Sequence, residues 1–364
     1  MFDEHAKALT LFAGESHFAS HAEKIENEDR RGQSMNENNL SRRQLLRGAA
    51  VLGAVGTTGF KGAERVEARS MRDKTPPMTP EGMAALDAAL GKKGSYVEEE
   101  GVYTVPLPRN DLKVTIKGEA VPTALGFGGW VSMKRTLDGR SAVLMSDTVL
   151  LEEEVNPLIS AAHANGLEVS AIHNHFFYEQ PRIFYMHVHG MGDPASLAHR
   201  YAAAIQTTNL FPANQPPASP PPTRTGKEIF DLPALDRIVG NAGKVNGSTY
   251  KYTIGRDDLF VQAMGAHITK SIGLNTWAAF AGEADAAYIA GDFAMLEPEV
   301  NPVIEALRRN NLEVVAVHNH MIGEQPRIMF LHYYGRGTAT TLAQGFRAAL
   351  DELGKHKSMM GTMR

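Results

Sequence analysis

The sequence predicts an α+β protein made of two tandem repeats, each a mostly antiparallel sheet with helices packed on it. Three observations carry this. A string in the first half recurs in the second at a fixed offset. Each copy alternates short apolar-polar stretches with helical ones. A proline-rich segment separates the copies.

The repeat is read directly. His173-Asn174-His175 followed by Glu179-Gln180-Pro181-Arg182-Ile183 returns as His318-Asn319-His320 followed by Glu324-Gln325-Pro326-Arg327-Ile328, an offset of 145 residues. The same offset pairs Asp147 with Asp292, Glu152 with Glu297, Asn156-Pro157 with Asn301-Pro302, His187 with His332 and Gly190 with Gly335. Upstream the offset is 147, pairing Arg109 with Arg256, Gly118 with Gly265 and Trp130 with Trp277. A two-residue loop difference accounts for the change. Self-similarity on this scale marks a duplicated unit.

The organisation that follows is a leader over 1–70, a first repeat over 78–207, a linker over 208–228 and a second repeat over 229–356. The linker carries Pro212, Pro216, Pro217, Pro220, Pro221 and Pro222. Such a segment favours extended polyproline II and, at about 3.1 Å per residue, reaches roughly 60 Å. It therefore allows the repeats to sit side by side as separately folded halves.

Within each repeat a short helix around Leu86-Asp87 or Leu235-Asp236 comes first. Strands are expected at Leu112–Ile116, Ala142–Leu151, Glu168–His175 and Arg182–His189. Between the second and third, a helix is expected with Asn156 as N-cap and Pro157 at its first position. It ends at Gly166 in one copy and Asn311 in the other, the two residue types that best tolerate a left-handed cap. A last helix carries Leu197, Tyr201 and Ile205. Trp130 and Trp277 read as core, and Glu152-Glu153-Glu154 as a solvated approach to the helix.

Composition excludes several classes. The chain has 364 residues, no cysteine and a formal net charge of −4. Disulfides, thiolate metal sites and cysteine nucleophiles are ruled out. Nothing points to nucleic acid as a partner. No Walker loop, GxGxxG or Ser-His-Asp signature is present. Fourteen histidines without cysteine direct any metal reading to nitrogen and oxygen ligands.

Residues Ser41-Arg42-Arg43-Gln44-Leu45-Leu46-Arg47 precede a Gly-rich apolar stretch from Gly48 to Phe60. Val66-Glu67-Ala68 is a candidate cleavage site. Paired arginines before a short apolar run look like a twin-arginine (Tat) export signal, with Arg42 and Arg43 as its signal residues. Met35 opens a leader of ordinary length, so translation from Met35 rather than Met1 is expected. The protein is expected in the periplasm or secreted, with the Tat translocase as a partner during export.

The candidate site is built on histidine. His173 and His175 lie two apart on a predicted strand, so both face one side, and His318 and His320 do the same. Two imidazoles on one face are half of a metal site for a divalent transition metal. Glu179 and Glu324 are the candidate catalytic bases, and Arg182 and Arg327 supporting residues. His187 and His332 are further candidates, held back by geometry. In a direct hairpin His173 opposes Ile183, which leaves His187 about 13 Å away at about 3.3 Å per residue. Glu179, Asp147 or groups of the other repeat are then better partners. If the repeats pair about a twofold axis, the two His-Asn-His segments approach and share one site. Phe176-Phe177-Tyr178 would give it an aromatic wall and Met321-Ile322-Gly323 an opening. A plainer reading stands beside these: the histidines bond the turn backbone, and Glu179 with Arg182 forms a local ion pair shaped by Pro181.

The segment from Glu154 to Ala198, with its second copy, resembles the DUF1259 domain of the LppY/LpqO family, whose specific string is HNH, then EQPR, then H and G. The resemblance spans both repeats. It implies a cell-envelope or secreted protein and carries no established activity. Named members are lipoproteins. This chain has no cysteine to lipidate, so no stable membrane anchor is expected. Three readings follow. One is a binding protein with a His-lined, metal-loaded site for a small-molecule or cell-envelope ligand. The second is a metal-dependent hydrolase or oxygenase. The third is a structural envelope protein.

Replacing both signal residues, Arg42→Lys with Arg43→Lys, is expected to leave precursor in the cytoplasm on cell fractionation. Normal export of the double variant would remove the Tat assignment.

Overall fold

The computed structural model describes residues 75–216 and 221–355, and both repeats fall in one compact unit. The leader, with Arg42, Arg43 and the candidate cleavage site, lies outside the described residues. Among those described, no helix is long and apolar enough to cross a membrane.

The first repeat opens with α1 (Pro80–Leu90), capped by Thr79, whose side chain accepts from Gly82 N at 3.1 Å. Six strands form its main sheet: β1 (Ser95–Val97), β2 (Val102–Pro108), β5 (Gly128–Arg135), β6 (Ala142–Leu151), β7 (Glu168–His173) and β9 (Ile183–Gly192). They lie in the order β1-β2-β5-β6-β9-β7, and every pairing is antiparallel. A small ribbon of β3 (Val114–Ile116), β4 (Glu119–Val121) and β8 (Glu179–Gln180) stands apart. Helices α2 (Glu152–Ala164) and α3 (Pro194–Ile205) complete the repeat.

The second repeat starts with two short helices, α4 (Gly226–Ile229) and α5 (Leu232–Val239). Its sheet contains β10 (Lys244–Asn246), β11 (Thr249–Gly255), β14 (Asn275–Glu283), β15 (Ala286–Leu296), β16 (Glu313–His318) and β17 (Ile328–Gly337). The order β10-β11-β14-β15-β17-β16 matches the first repeat. Its ribbon is β12 (Val261–Ala263) with β13 (Ala266–Ile268), and α6 (Val300–Arg309) and α7 (Ala339–Leu350) complete it. The fold is α+β and duplicated, as the periodicities require.

Alternation along each strand divides the cores. On β9, Met186 and Val188 face the helices, while Ile183 and Tyr185 face the other way. On β17, Leu331 and Tyr333 face the helices and Ile328 and Phe330 do not. Each helix-side core belongs to one repeat. The other two clusters are shared: Val102, Val143 and Met145 pack with Val261, Ile268 and Ile272, and Val114, Ile116 and Phe127 pack with Ala279, Tyr288 and Tyr334. Each repeat's ribbon thus lies in the interface with the other. Polar locks join them, including Leu137 N to Gly265 O at 2.9 Å and Glu100 Oε1 accepting from Ser271 Oγ at 2.8 Å. The expectation of separately folded halves is therefore overturned.

Other expectations need correction. Helix α2 begins at Glu152, four residues before Asn156, with Pro157 inside it. Glu154 closes the cap by accepting from Leu151 N at 2.8 Å and from Arg109 NH1 at 2.6 Å. Arg109 is fully buried, so Glu154 is an anchor rather than a solvated side chain. Arg256 and Glu299 repeat this pair at 2.6 Å. Gly166 and Asn311 do take the left-handed conformation, with φ of 64° and 58°. The linker is shorter than its prolines suggest. Thr208 and Leu210 are buried in the first repeat, and residues Pro212–Asn214 form a 3₁₀ turn.

A protease site placed between Pro216 and Pro221 should allow cleavage without separation. The nicked halves are expected to co-elute on gel filtration, because parting them would expose both shared apolar clusters to water. Two independently migrating folded halves would contradict the shared core.

Candidate functional site

The odd-numbered face of β9 carries Tyr185, His187 and His189 towards the second repeat, and β17 presents Phe330, His332 and Tyr334 in the matching places. Their partner strands β7 and β16 each contain an irregularity, between Val169 and Ala171 and between Val314 and Ala316. His173 pairs with Tyr185 rather than Ile183, and Ala171 pairs with His187. The expected 13 Å gap is therefore wrong. The chain leaves β7 through a long loop whose β8 segment pairs with β3, so the tight hairpin register does not apply. His187 lies two positions from the residue opposite His173, and their Nε2 atoms are 3.1 Å apart.

His175 and His320 lie beyond their strands, not on them. Each is fixed by an Nδ1 contact at 3.1 Å with a carbonyl, Gly126 O for His175 and Gly273 O for His320. His187 and His332 are held the same way by Ser146 O and Gly291 O, each at 3.1 Å. A carbonyl accepts only from an N–H, so these four rings carry the proton on Nδ1. Nε2 of His175, His187 and His332 is then the inward atom, while Nε2 of His320 faces Asp292.

The six imidazoles meet where the repeats meet. His173 stacks on His318 at 3.8 Å between centroids, and the tilted pairs His175–His332 and His187–His320 lie at 3.7 and 4.1 Å. These pairs are related as a twofold axis would relate them. All six are 2–8% exposed. Burial, then the neighbouring imidazoles, hold His173, His175, His187 and His318 well below the usual histidine range. Burial also lowers His332, with Asp292 pulling the other way.

Two aspartates border the cluster. Asp292 Oδ2 lies 3.2 Å from His320 Nε2. Burial, then the charge of Asp292, raises Asp147 well above the carboxylate range. Three sets of ligand atoms lie within 4.8 Å of one another: His173, His318 and His332; His187, His318 and His320; and Asp147, His173 and His175. Both nitrogens of His318, Nδ1 of His173, Nε2 of His175 and Oδ1 of Asp147 are buried without a hydrogen-bond partner among the described residues.

The glutamates do not join these sets. Glu179 Oε1 accepts from Ile183 N at 3.4 Å and Glu324 Oε1 from Ile328 N at 3.1 Å. Arg182 and Arg327 pair with them at 3.9 and 3.7 Å. These four side chains close their own turns, as the plainer reading has it, and Asp147 and Asp292 stand where the glutamates were expected.

A cleft of about 690 Å³ opens beside the cluster. Asp147, His175, Asp292 and His320 line it, together with Trp130, Trp277, Lys251 and Lys270. The tryptophans are therefore only partly core. Lys251 Nζ lies 4.3 Å over the Trp277 ring, and burial lowers its pKa to about 8, against the pull of Asp147 and Asp292. The supposed aromatic wall is not here. Phe176 and Met321 are buried in the shared clusters, while Phe177, Tyr178 and Ile322 are exposed away from the cleft lining. Sequence reasoning missed Lys251 and His189. It had paired Asp292 with Asp147 without giving it a role. The repeat alignment held the signal for Asp292, whereas Lys251 and His189 have no copy in the other repeat.

A family model described as Domain of Unknown Function (DUF1259) matches residues 84–207 and 233–352. A search of curated proteins finds no match. Among solved structures, the chain is similar to a trimeric bacterial microcompartment shell protein, PduB, at 14% identity, covering 73% of this chain and 93% of that one with a TM-score of 0.20. It is also similar to EtuB from Clostridium kluyveri at 10% identity, with coverages of 73% and 93% and a TM-score of 0.18. Overlap this slight carries no argument about fold or function.

The lowered histidines give a signed pH dependence. The unfolded chain takes up protons near pH 6.5 that the folded protein refuses. Their contribution is thus complete above pH 6.5 and falls away below it, by about 1.4 kcal/mol per unit of depression for each ring. Asp147 and Glu179, both raised chiefly by burial, act in the opposite sense, but they are two groups against six, since burial also lowers His189 to about 4. Metal-free protein should therefore melt at progressively lower temperature from pH 7.5 to 5 in a thermal scan. A flat profile would show that the rings are not held neutral.

Proposed function

This chain belongs to the DUF1259 family, and we propose that its two repeats form an exported envelope protein of the LppY/LpqO type that binds a divalent transition metal where they meet. The cleft beside the metal takes a small-molecule or cell-envelope ligand. One observation carries the reading: buried imidazole nitrogens and a carboxylate oxygen converge with no hydrogen-bond partner. Each such group left unmatched costs about 1–3 kcal/mol, so several together in one place need an explanation. A metal ion supplies it, because it takes the lone pairs that no donor reaches.

The donor chemistry fits. Two nitrogens on one tetrahedral ion with bonds of about 2.0 Å sit roughly 3.3 Å apart. The ligand atoms of each of the three sets lie within 4.8 Å of one another, so small side-chain shifts bring them onto one ion. Backbone carbonyls on the far nitrogens of four rings are the outer partners that ligating histidines usually have. With imidazole and carboxylate and no thiolate, the set suits zinc, iron, manganese or copper. Turn stabilisation explains Nδ1 of His175 and His320, but it leaves Nε2 of His175, Nδ1 of His173 and both nitrogens of His318 unexplained.

A second reading, a metal-dependent hydrolase or oxygenase, has one specific support. The cleft reaches the ligand set itself, through Asp147, His175, Asp292 and His320. Any acid-base role then falls to these residues, since Glu179 and Glu324 turn Oε1 onto their own backbone and do not line the cleft. Export through the Tat route suits either reading, because that route carries folded proteins.

Metal analysis of protein purified without a histidine tag tests the centre. Zinc, iron, manganese or copper should be present at about one or two ions per chain, and His173→Ala with His318→Ala should abolish it. Added metal should raise the melting temperature of stripped protein, by about 2.7 kcal/mol of stability at a hundredfold excess over Kd. Stripped protein whose melting temperature ignores all four metals would refute the centre.

A further inference from the structure

We propose that the cleft binds a small oxyanion, a carboxylate or phosphate group, at Lys251, in the one orientation its unequal walls allow. This deepens the metal-binding reading and rests on it.

The histidine floor obeys the twofold relation between repeats, but the cleft above it does not. Lys251 on β11 and Lys270 at the start of the 3₁₀ turn Lys270–Ile272 both line the cleft. Their counterparts at the 147-residue offset are Thr104 and Thr123, which also line it. The second repeat therefore supplies both ammonium groups and the first supplies hydroxyls in their places. A symmetric pocket would accept a ligand in two equivalent poses. This one distinguishes a charged wall from a neutral one.

Lys251 is the central group. Its stem is packed so that Nζ sits 4.3 Å over Trp277, and among the described residues the ammonium has no hydrogen-bond partner. Only the through-space attraction of Asp147 and Asp292 balances its charge. When a divalent ion takes Asp147 and the imidazole of His320 occupies Asp292, that attraction is largely spent. An ammonium is then left facing a cleft whose remaining lining is mostly hydroxyl, amide and glycine backbone. Such surroundings favour an anion, which gains a charge-assisted hydrogen bond from Lys251 and neutral donors around it. About 690 Å³ suits a metabolite-sized molecule and excludes a folded partner. Lys270 is exposed and weights the same wall at longer range.

The chain's two tryptophans, Trp130 and Trp277, both line this cleft, so tryptophan emission excited at the red edge, where the ten tyrosines do not absorb, reports on it. Metal-loaded protein of verified metal content is titrated with sodium phosphate and separately with sodium malonate, with chloride holding ionic strength constant. A saturable fluorescence change with either anion is expected, and the better of the two identifies the oxyanion class. Lys251→Met and, as a second variant, Lys251→Gln should weaken the response about tenfold or more, the loss of one charged hydrogen bond. Metal content and melting temperature should be kept. Lys270→Met should weaken it less, and the exposed Lys227→Met not at all. Metal-loaded protein blind to both anions, or Lys251 variants that respond like the wild type, would overturn the anion site while leaving the metal centre intact. Protein that takes up no metal would overturn both.

Discussion

The contact of His173 with His318, one ring from each repeat stacked at 3.8 Å, is the constraint on which the rest of the structure depends. Two imidazolium rings would repel strongly at that distance, so the contact keeps the pair from charging together. Neutrality at ordinary pH requires that water be kept out and that each ring be held by something other than solvent. The shared apolar clusters on either side keep water out. The four carbonyls of Gly126, Ser146, Gly273 and Gly291 hold the flanking rings. The repeat interface is thus at once the second half of the hydrophobic core and the frame of the site.

This dual use explains why each small ribbon lies where it does. A six-stranded sheet with helices on one face still has an apolar face to cover. Here each sheet covers it with the other repeat and that repeat's ribbon, leaving a polar strip in the middle where the histidines sit. The ribbon also carries function inward. In the first repeat, β8 pairs with β3, and the loop that results brings His175 back beneath Gly126. Turn closure by Glu179 and Arg182 fixes that loop. The motif that stands out in the sequence therefore does two jobs, its histidines facing the centre and its Glu-Gln-Pro-Arg holding them there.

Duplication followed by divergence has left a symmetric floor and unequal surroundings. His189 donates from one side only, to the carbonyl of His320 at 2.6 Å, and its counterpart is Tyr334. Ser170, at the irregularity in β7, bonds the same carbonyl at 2.5 Å, where the second repeat has Val315. The His320 carbonyl is thus fixed by two groups of the first repeat, and the matching position has neither. The two halves of the centre are chemically alike at the ligands and different one layer out. In metal sites that is the layer that tunes ligand basicity and approach.

The sequence by itself determined the duplicated α+β plan, the strand at Ala142–Leu151, the left-handed caps at Gly166 and Asn311, and four of the six histidines. These follow from local rules: strand alternation, cap stereochemistry and a repeat strong enough to align residue by residue. It even supplied Asp292, unrecognised, as the partner of Asp147. What only the tertiary structure decided was which residues converge. His187 looked 13 Å too far because register was read from turn length, and register in fact follows an irregular strand and a loop that pairs elsewhere. The glutamates looked like ligands because they are acidic and near in sequence, and the fold turns them back onto their own backbone. Lys251 gave no signal at all, since its place in the cleft depends on how two repeats dock, and docking is fixed by the summed apolar faces of both rather than by any short stretch of chain.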